Sequence, residues 1–144
     1  MKKTLASVLL ACAAALLPGC ATGPKYAEAK ASIPPIATEN GRIYFYRTSA
    51  LGAAVQPDVK LNGKKIGNAV PKGFFYADGA AGNYQVETST EVKRRLSLVL
   101  DAGQTRFVRL NIGMGFFVGH VWPELVENPT GEKEIAKCKY TGGK

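Results

Sequence analysis

Apolar and polar residues alternate along most of the chain after residue 41, with the two-residue period of β-strands. In residues 83–89, Tyr84, Val86 and Thr88 share one face of such a strand and Gln85 and Glu87 the other. The same pattern, bounded by turn residues, predicts strands in residues 42–48, 58–67, 73–78, 95–100 and 105–112. Residues 113–127 predict one or two more strands, interrupted near Pro123.

Turn residues separate these segments at intervals of about ten residues. Asn62-Gly63 predicts a hairpin inside 58–67, because a type I′ turn needs positive φ at both central positions. Only residues 130–138 suggest a helix, and a short one, before a loose tail at 139–144. The pattern indicates an all-β sandwich or open barrel. We expect a single small β-sandwich over residues 41–138, with about seven to eight mostly antiparallel strands.

The N-terminus has the layout of a secretory signal peptide over residues 1–19, with Lys2 and Lys3 before an uncharged Ala- and Leu-rich run. That run ends at Leu17-Pro18-Gly19-Cys20, which resembles a bacterial lipobox, although Pro18 departs from the usual small residue. The motif predicts a diacylglycerol on Cys20, and Ala21 after it resembles an outer-membrane sorting signal. We therefore expect lipid anchoring at the periplasmic face of the outer membrane. The alternative is an ordinary secretory signal with Cys20 left as a plain thiol.

Residues 20–40 would then form the lipidated cysteine and a flexible tether, because they contain three prolines and no sustained period. A coil of this length reaches roughly 25 Å, which would hold the domain away from the bilayer.

Charge adds a basic surface to this picture. Removing residues 1–19, which include Lys2 and Lys3, takes the net charge from +8 to +6. Residues 42–109 hold 11 of the basic side chains and 5 of the acidic ones. A basic surface favours an envelope protein or an anionic envelope polymer as partner, or serves only solubility. Nucleic acid is not expected for an exported, tethered protein.

The order of motifs is familiar. The segments "GRIYFYR", "DVKLNGKKIG", "GFFYAD" with "GNYQVET", "DAGQTRFVRLNI" and "GMGFFVG" resemble the bacterial family designated domain of unknown function 2846. The resemblance covers roughly residues 41–127. It implies a short exported protein or lipoprotein and supplies no activity. A weaker similarity, in "NGKKIG" and Gly82-x-Tyr-x-Val, is to PEGA and carboxypeptidase-regulatory-like β-sandwich modules.

Motifs for catalysis and cofactors are weak. Gly113, Gly115 and Gly119 lack the spacing of a dinucleotide fingerprint, and one histidine, His120, does not make a zinc site. We expect no enzyme activity, no catalytic residue, no metal and no cofactor. The predicted function is a non-enzymatic binding or accessory domain. The alternative is a structural lipoprotein that self-associates, through Cys138 or an aromatic end, and the oligomeric state stays open.

Two groups of side chains are candidates for partner binding. The first is aromatic, because one residue of each Phe-Phe pair is exposed unless another element covers that face of the sheet. The second is basic and is expected at strand-to-strand turns, with separate solvated turns as the alternative. Together the candidates are Phe74, Phe75, Phe116, Phe117, Lys64, Lys65, Lys93, Arg94 and Arg95.

Overall fold

The computed structural model describes residues 19–143. Residues 1–18, which hold nearly all of the predicted signal peptide, lie outside the described residues, as does Lys144.

The described chain forms two β-sheets and two short helices. Sheet A has the strand order β8-β7-β1-β4-β9, and sheet B has the order β3-β2-β5-β6. Neighbouring strands are antiparallel except in the β1–β7 and β4–β9 pairs. The elements in chain order are α1 (Tyr26–Ser32), β1 (Asn40–Tyr46), β2 (Asp58–Leu61), β3 (Lys64–Asn68), β4 (Gly73–Ala80), β5 (Gly82–Ser89), β6 (Lys93–Leu100), β7 (Thr105–Gly113), β8 (His120–Val126), α2 (Asn128–Ile135) and β9 (Lys139–Tyr140). The predicted fold class is confirmed, with nine strands rather than seven or eight.

The turn prediction is also confirmed. Asn62 and Gly63 connect β2 to β3 with φ angles of 49° and 82°, as a type I′ hairpin requires. The predicted interruption near Pro123 is wrong, because Pro123 lies inside β8 opposite Leu110. Strand β8 is at the edge of sheet A, where a residue without an N–H is tolerated.

The main core lies between the two sheets. One face of strands β1 to β8 supplies it, including Val86 and Leu98 from sheet B and Val108 from sheet A. Phe45 and Phe75 stack at its centre, with ring centroids 5.1 Å apart. The period-two pattern therefore places these side chains as the sequence predicts.

A second core covers the outer face of sheet A. Tyr44, Phe74 and Phe107 point away from sheet B and are buried by α1, α2 and the segment around Cys138. Helix α2 approaches the sheet closely at Gly131, where an added Cβ would lie 2.3 Å from the Phe107 ring. Both faces of β1 and the first half of β4 are therefore buried.

The N-terminal segment differs from the predicted flexible tether. Helix α1 buries Tyr26 and Ala29 against sheet A. The Tyr26 N–H donates to the carbonyl of Cys138 at 3.2 Å. The backbone of Lys25 pairs with that of Lys139 in an isolated antiparallel β-bridge. Residues 139–140 are correspondingly not a loose tail, because they form β9. A seven-residue helix with two buried positions is too short to give a recognisable period.

Both ends of the sandwich are loop clusters, and they differ in character. We call the end formed by loops 47–57, 69–72, 90–92 and 114–119 the Cys20 end, since the Ala21 N–H donates to the Pro71 carbonyl there at 3.0 Å. The opposite, far end carries the β2–β3 hairpin, the β4–β5 turn and the β6–β7 turn. Cys20 thus lies at only one of the two ends of the sandwich.

A buried arginine organises the Cys20 end. Arg47 is fully buried, and its guanidinium donates to the carbonyls of Val55 and Ala69 at 2.6 and 2.7 Å. It also donates to the carbonyls of Leu51 and Gly52. Burial lowers the pKa of Arg47 from its ordinary value. Four carbonyl acceptors compensate the buried cation and fix loop 47–57.

Candidate functional site

The predicted lipidation site lies on the surface of the Cys20 end. The Cys20 side chain is exposed. Its neighbours are fixed to the domain, because the Gly19 carbonyl accepts from Gln56 at 3.3 Å and Ala21 is buried against loop 69–72. A group attached to Cys20 would therefore leave directly from the surface of the sandwich.

Loop 114–119, which we call the aromatic loop, is the most apolar exposed segment among the described residues. Met114, Phe116 and Phe117 are 87%, 88% and 85% exposed. The two phenyl rings contact each other edge to face, 4.7 Å apart. Two of the predicted aromatic candidates thus lie on the surface with almost no cover, at the same end as Cys20.

A carboxylate from the neighbouring turn holds this loop in place. Glu91, between β5 and β6, accepts hydrogen bonds from the N–H groups of Phe117 and Val118 at 2.6 and 2.7 Å, and from that of Phe116 at 3.2 Å. Desolvation opposes ionisation of Glu91, but these donors outweigh it and lower its pKa from the ordinary value. The loop therefore has a defined backbone conformation although its side chains are exposed.

His120 completes the same junction. Its Nε2 lies 3.3 Å from the Glu91 carboxylate, and its Nδ1 is buried without a hydrogen-bond partner among residues 19–143. Beside it is a cleft of about 470 Å³. The cleft is lined by Arg94, Arg95, Gly113, Met114, His120, Trp122 and Pro123. Its walls combine apolar side chains with two guanidinium groups.

The basic candidates are not gathered into one patch. Lys64 and Lys65 begin β3, while Lys93, Arg94 and Arg95 begin β6 rather than occupying a turn. These strands are opposite edges of sheet B. The structure therefore brings the second group to the Cys20 end and leaves the first on the other edge.

Between these two groups, carboxylates alternate with the basic side chains across sheet B. Lys65 pairs with Asp58 at 2.8 Å, and Arg95 pairs with Glu87 at 2.9 Å. Hydrogen bonding to these partners lowers the pKa of both carboxyl groups. Arg94 and Lys72 have no carboxylate partner within 4 Å in the described part of the chain. Unpaired positive charge is thus present at the Cys20 end, although Lys60, Lys64 and Arg106 also lack a carboxylate partner in the described residues.

The prediction that Phe74 and Phe75 join a contact surface is wrong. Both side chains are buried, Phe75 between the sheets and Phe74 beneath α1. The reason is that sheet A is covered on both sides, so neighbouring residues of β4 are enclosed although they point in opposite directions.

Side chains with potential chemical reactivity are engaged in structural contacts. Asp78 forms a bidentate ion pair with Arg42 at 2.6 and 2.7 Å. Cys138 is fully buried, and burial raises the pKa of its thiol to about 11. Residues 19–143 contain no group of three or more histidine, cysteine or carboxylate side chains placed to bind a metal ion. In the same range there is no helix with the length and hydropathy needed to cross a bilayer.

Sequence reasoning missed three members of the Cys20 end. Leu51 and Val92 are exposed apolar side chains on neighbouring loops, and Glu91 holds the aromatic loop. Each is a single residue within a turn, and only its placement beside Phe116 and Phe117 in the folded chain gives it a role. The sequence did indicate that all three residues lie in connections between predicted strands, but nothing more about them.

Comparison with known proteins gives two matches. The family described as "Protein of unknown function (DUF2846)" matches residues 37–121, which is more than half of the chain. An "Uncharacterized protein" from Haemophilus influenzae (strain ATCC 51907 / DSM 11121 / KW20 / Rd) is 32% identical over 143 residues. That alignment covers 95% of this chain and 84% of the relative. The chain, a two-sheet β-protein with an exposed aromatic loop at the Cys20 end, belongs to the DUF2846 family.

Proposed function

We propose that the protein is a cell-envelope lipoprotein, anchored through a lipid on Cys20 at the periplasmic face of the outer membrane. Its β-domain is a non-enzymatic binding or accessory module. The observation that carries the proposal is the exposed position of Cys20 at the surface of the domain, directly after Leu17-Pro18-Gly19 in the sequence. The motif supplies the acylation site, and the exposed sulfur leaves room for an attached lipid in the folded domain.

The binding role is supported by the outer face of sheet B, a broad sheet face that no helix of residues 19–143 covers. The register places Lys60, Lys65, Lys93 and Arg95 there among the carboxylates of Asp58 and Glu87. Interspersed charges of both signs suit a polar protein interface, because a uniform polyanion would also meet the two carboxylates. The partner we propose is therefore an envelope protein with complementary charges.

The anchor is tested by intact mass of the membrane-fraction protein. The wild-type chain is expected to carry the acyl increment, and Cys20→Ala is expected to lose it and leave the membrane fraction. Cys12→Ala is the matched control, because that residue belongs to the segment that a signal peptidase would remove. A wild-type protein without the acyl increment would overturn the lipoprotein assignment.

The binding surface is tested by photo-cross-linking in living cells. A cross-linker is placed at Arg95 on sheet B, and at Lys30 of α1 as an exposed basic control. One dominant protein adduct from Arg95 but not from Lys30 supports the proposal. A heterogeneous glycan or lipid adduct from Arg95 would instead make the partner an anionic polymer. Adducts between copies of the chain would make it a self-associating structural lipoprotein.

A further inference from the structure

The exposed apolar side chains of the domain are concentrated at the Cys20 end. Residues 19–143 expose eight large hydrophobic side chains. Seven of them lie on the loops of that end or within three residues of the aromatic loop: Leu51, Val92, Met114, Phe116, Phe117, Val118 and Trp122. The eighth, Val99, is near the far end of β6. Monomeric soluble domains rarely expose so many apolar side chains together. We therefore expect another molecule or a membrane to cover this end of the domain.

We infer that the Cys20 end docks on the surface of an anionic phospholipid bilayer, with the aromatic loop inserted among the headgroups. The inference rests on the proposed anchor at Cys20 and adds to it a second, non-covalent contact. A lipid on Cys20 would make the membrane the nearest apolar phase available to these loops. A partner protein bound at this end would instead have to lie between the domain and the bilayer.

The first argument is the missing tether. Residues 21–32 are packed on the domain, so the chain provides no spacer between Cys20 and sheet A. Cys20 is beside the start of β4 and the aromatic loop leads into β8, three strand spacings away in sheet A. At about 4.8 Å per spacing, the anchor and the loop are about 15 Å apart on one end of the molecule. A bilayer that contains the acyl chains is within direct reach of the phenyl rings.

The second argument is charge. Lys72 and Arg94 are exposed at this end without a carboxylate partner in residues 19–143, and Arg94 lines the cleft beside Met114. Glu91, the carboxylate nearest the loop, is already saturated by three N–H donors. Cations around an inserted apolar loop attract anionic headgroups, and long basic side chains reach the headgroup level while their stems remain in apolar surroundings. The same charges would not favour a basic or purely apolar partner.

The third argument is rigidity. Because Glu91 fixes the backbone of the aromatic loop and Arg47 fixes loop 47–57, the apolar side chains are held outward without a folding cost on insertion. Flexible loops would instead lose conformational entropy when they bind. The loops of the Cys20 end therefore already have the conformation in which their apolar side chains can enter a bilayer surface.

The test uses the full acylated protein in vesicles of phosphatidylethanolamine and phosphatidylglycerol, with some lipids brominated in the upper part of the acyl chain, just below the headgroups. A Phe116→Trp probe is made in a Trp122→Phe background, and Val99→Trp in the same background is the matched control at the far end. We expect a blue-shift and strong bromine quenching for the first probe and neither for the second. Equal, unquenched emission from both probes would overturn the inference. A blue-shift without bromine quenching would also overturn it, because the loop would then contact protein.

Intact mass separates this result from the anchor. Acylated protein with an unquenched Phe116→Trp probe refutes loop insertion and leaves the lipoprotein assignment standing. Cys20→Ser removes the anchor and tests the loop alone. Weak binding of that variant to the same vesicles should fall on the order of tenfold with Phe116→Ser, and Val99→Ser should leave it unchanged. Equal binding of the two serine variants would refute the loop contact even if Cys20 carries lipid.

Discussion

Replacing Tyr26 by alanine tests whether the N-terminal segment is a structural part of the domain. Tyr26 is only 8% exposed, and its ring meets those of Tyr44 and Phe74 edge to face, at 5.7 and 5.4 Å. A buried aromatic ring of this kind removes 150–250 Å² from water, and each edge-to-face pair adds about 0.5–1.5 kcal/mol. Truncation of buried aromatic residues to alanine costs about 3–5 kcal/mol in well-packed cores.

Local detachment reduces the expected cost. Helix α1 has seven residues and buries two of them, so it can separate from sheet A before the sandwich unfolds. The cost of Tyr26→Ala is therefore limited by the free energy of docking α1, and we expect a loss of about 2–3 kcal/mol in the free energy of unfolding.

The assay is urea unfolding in a Cys20→Ser background, followed by far-UV circular dichroism. Glu28→Ala is the control on the same helix, because its side chain is exposed and the change is expected to stay within about 0.5 kcal/mol. A loss below about 0.5 kcal/mol for Tyr26→Ala would refute the packing argument and restore the flexible tether.

Three further changes probe other parts of the fold. Gly131→Ala should lower the free energy of unfolding by about 1–3 kcal/mol, because the added methyl group meets the buried Phe107 ring. Gly82→Ala is the control, since open space surrounds it, and it should cost less than about 1 kcal/mol in the same urea titration. Glu91→Gln should speed amide hydrogen exchange in the aromatic loop, measured by NMR, because the loop N–H groups lose a charged acceptor, while exchange in the core strands stays unchanged. Equal protection in both proteins would contradict the conclusion that Glu91 holds the loop. Thermal unfolding should show stability that is complete below pH 9 and falls as pH rises further, because burial raises the pKa of Tyr46 and Cys138 in the folded state above their unfolded values. Constant stability up to pH 11 would show that neither group is buried in its neutral form.

The sheet-forming segments could be predicted because their information is local. Alternation marks β5, β6 and β7, and Asn62-Gly63 specifies its turn through the φ angles it permits. The helices and edges were harder to predict, since α1 gains its stability from contacts with distant parts of the chain, which range from Tyr44 and Phe74 to Cys138.

The candidate site was predicted only in part. The pleat predicted one exposed phenylalanine in each Phe-Phe pair unless another element covered that face. Phe116 and Phe117 are exposed, whereas Phe75 is buried between the sheets and Phe74 is buried because helices cover the outer face of sheet A. The sequence pattern of β4 does not contain that information. Likewise, the meeting of Cys20, Leu51 and the aromatic loop at one end depends on the strand order of two sheets, which no local pattern encodes.

The junction between α1 and β9 sets an order of assembly. The Tyr140 N–H donates to the carbonyl of Pro24 at 2.8 Å, and Tyr140 also packs on Phe74 and Tyr76 beneath the helix. Helix α1 therefore has no complete docking surface until residues 135–140 have joined sheet A. Pairing of β9 with β4 thus also fixes where Cys20 leaves the domain. With the anchor proposed at Cys20, the last strand to be synthesised would determine how closely the folded domain is held to the membrane.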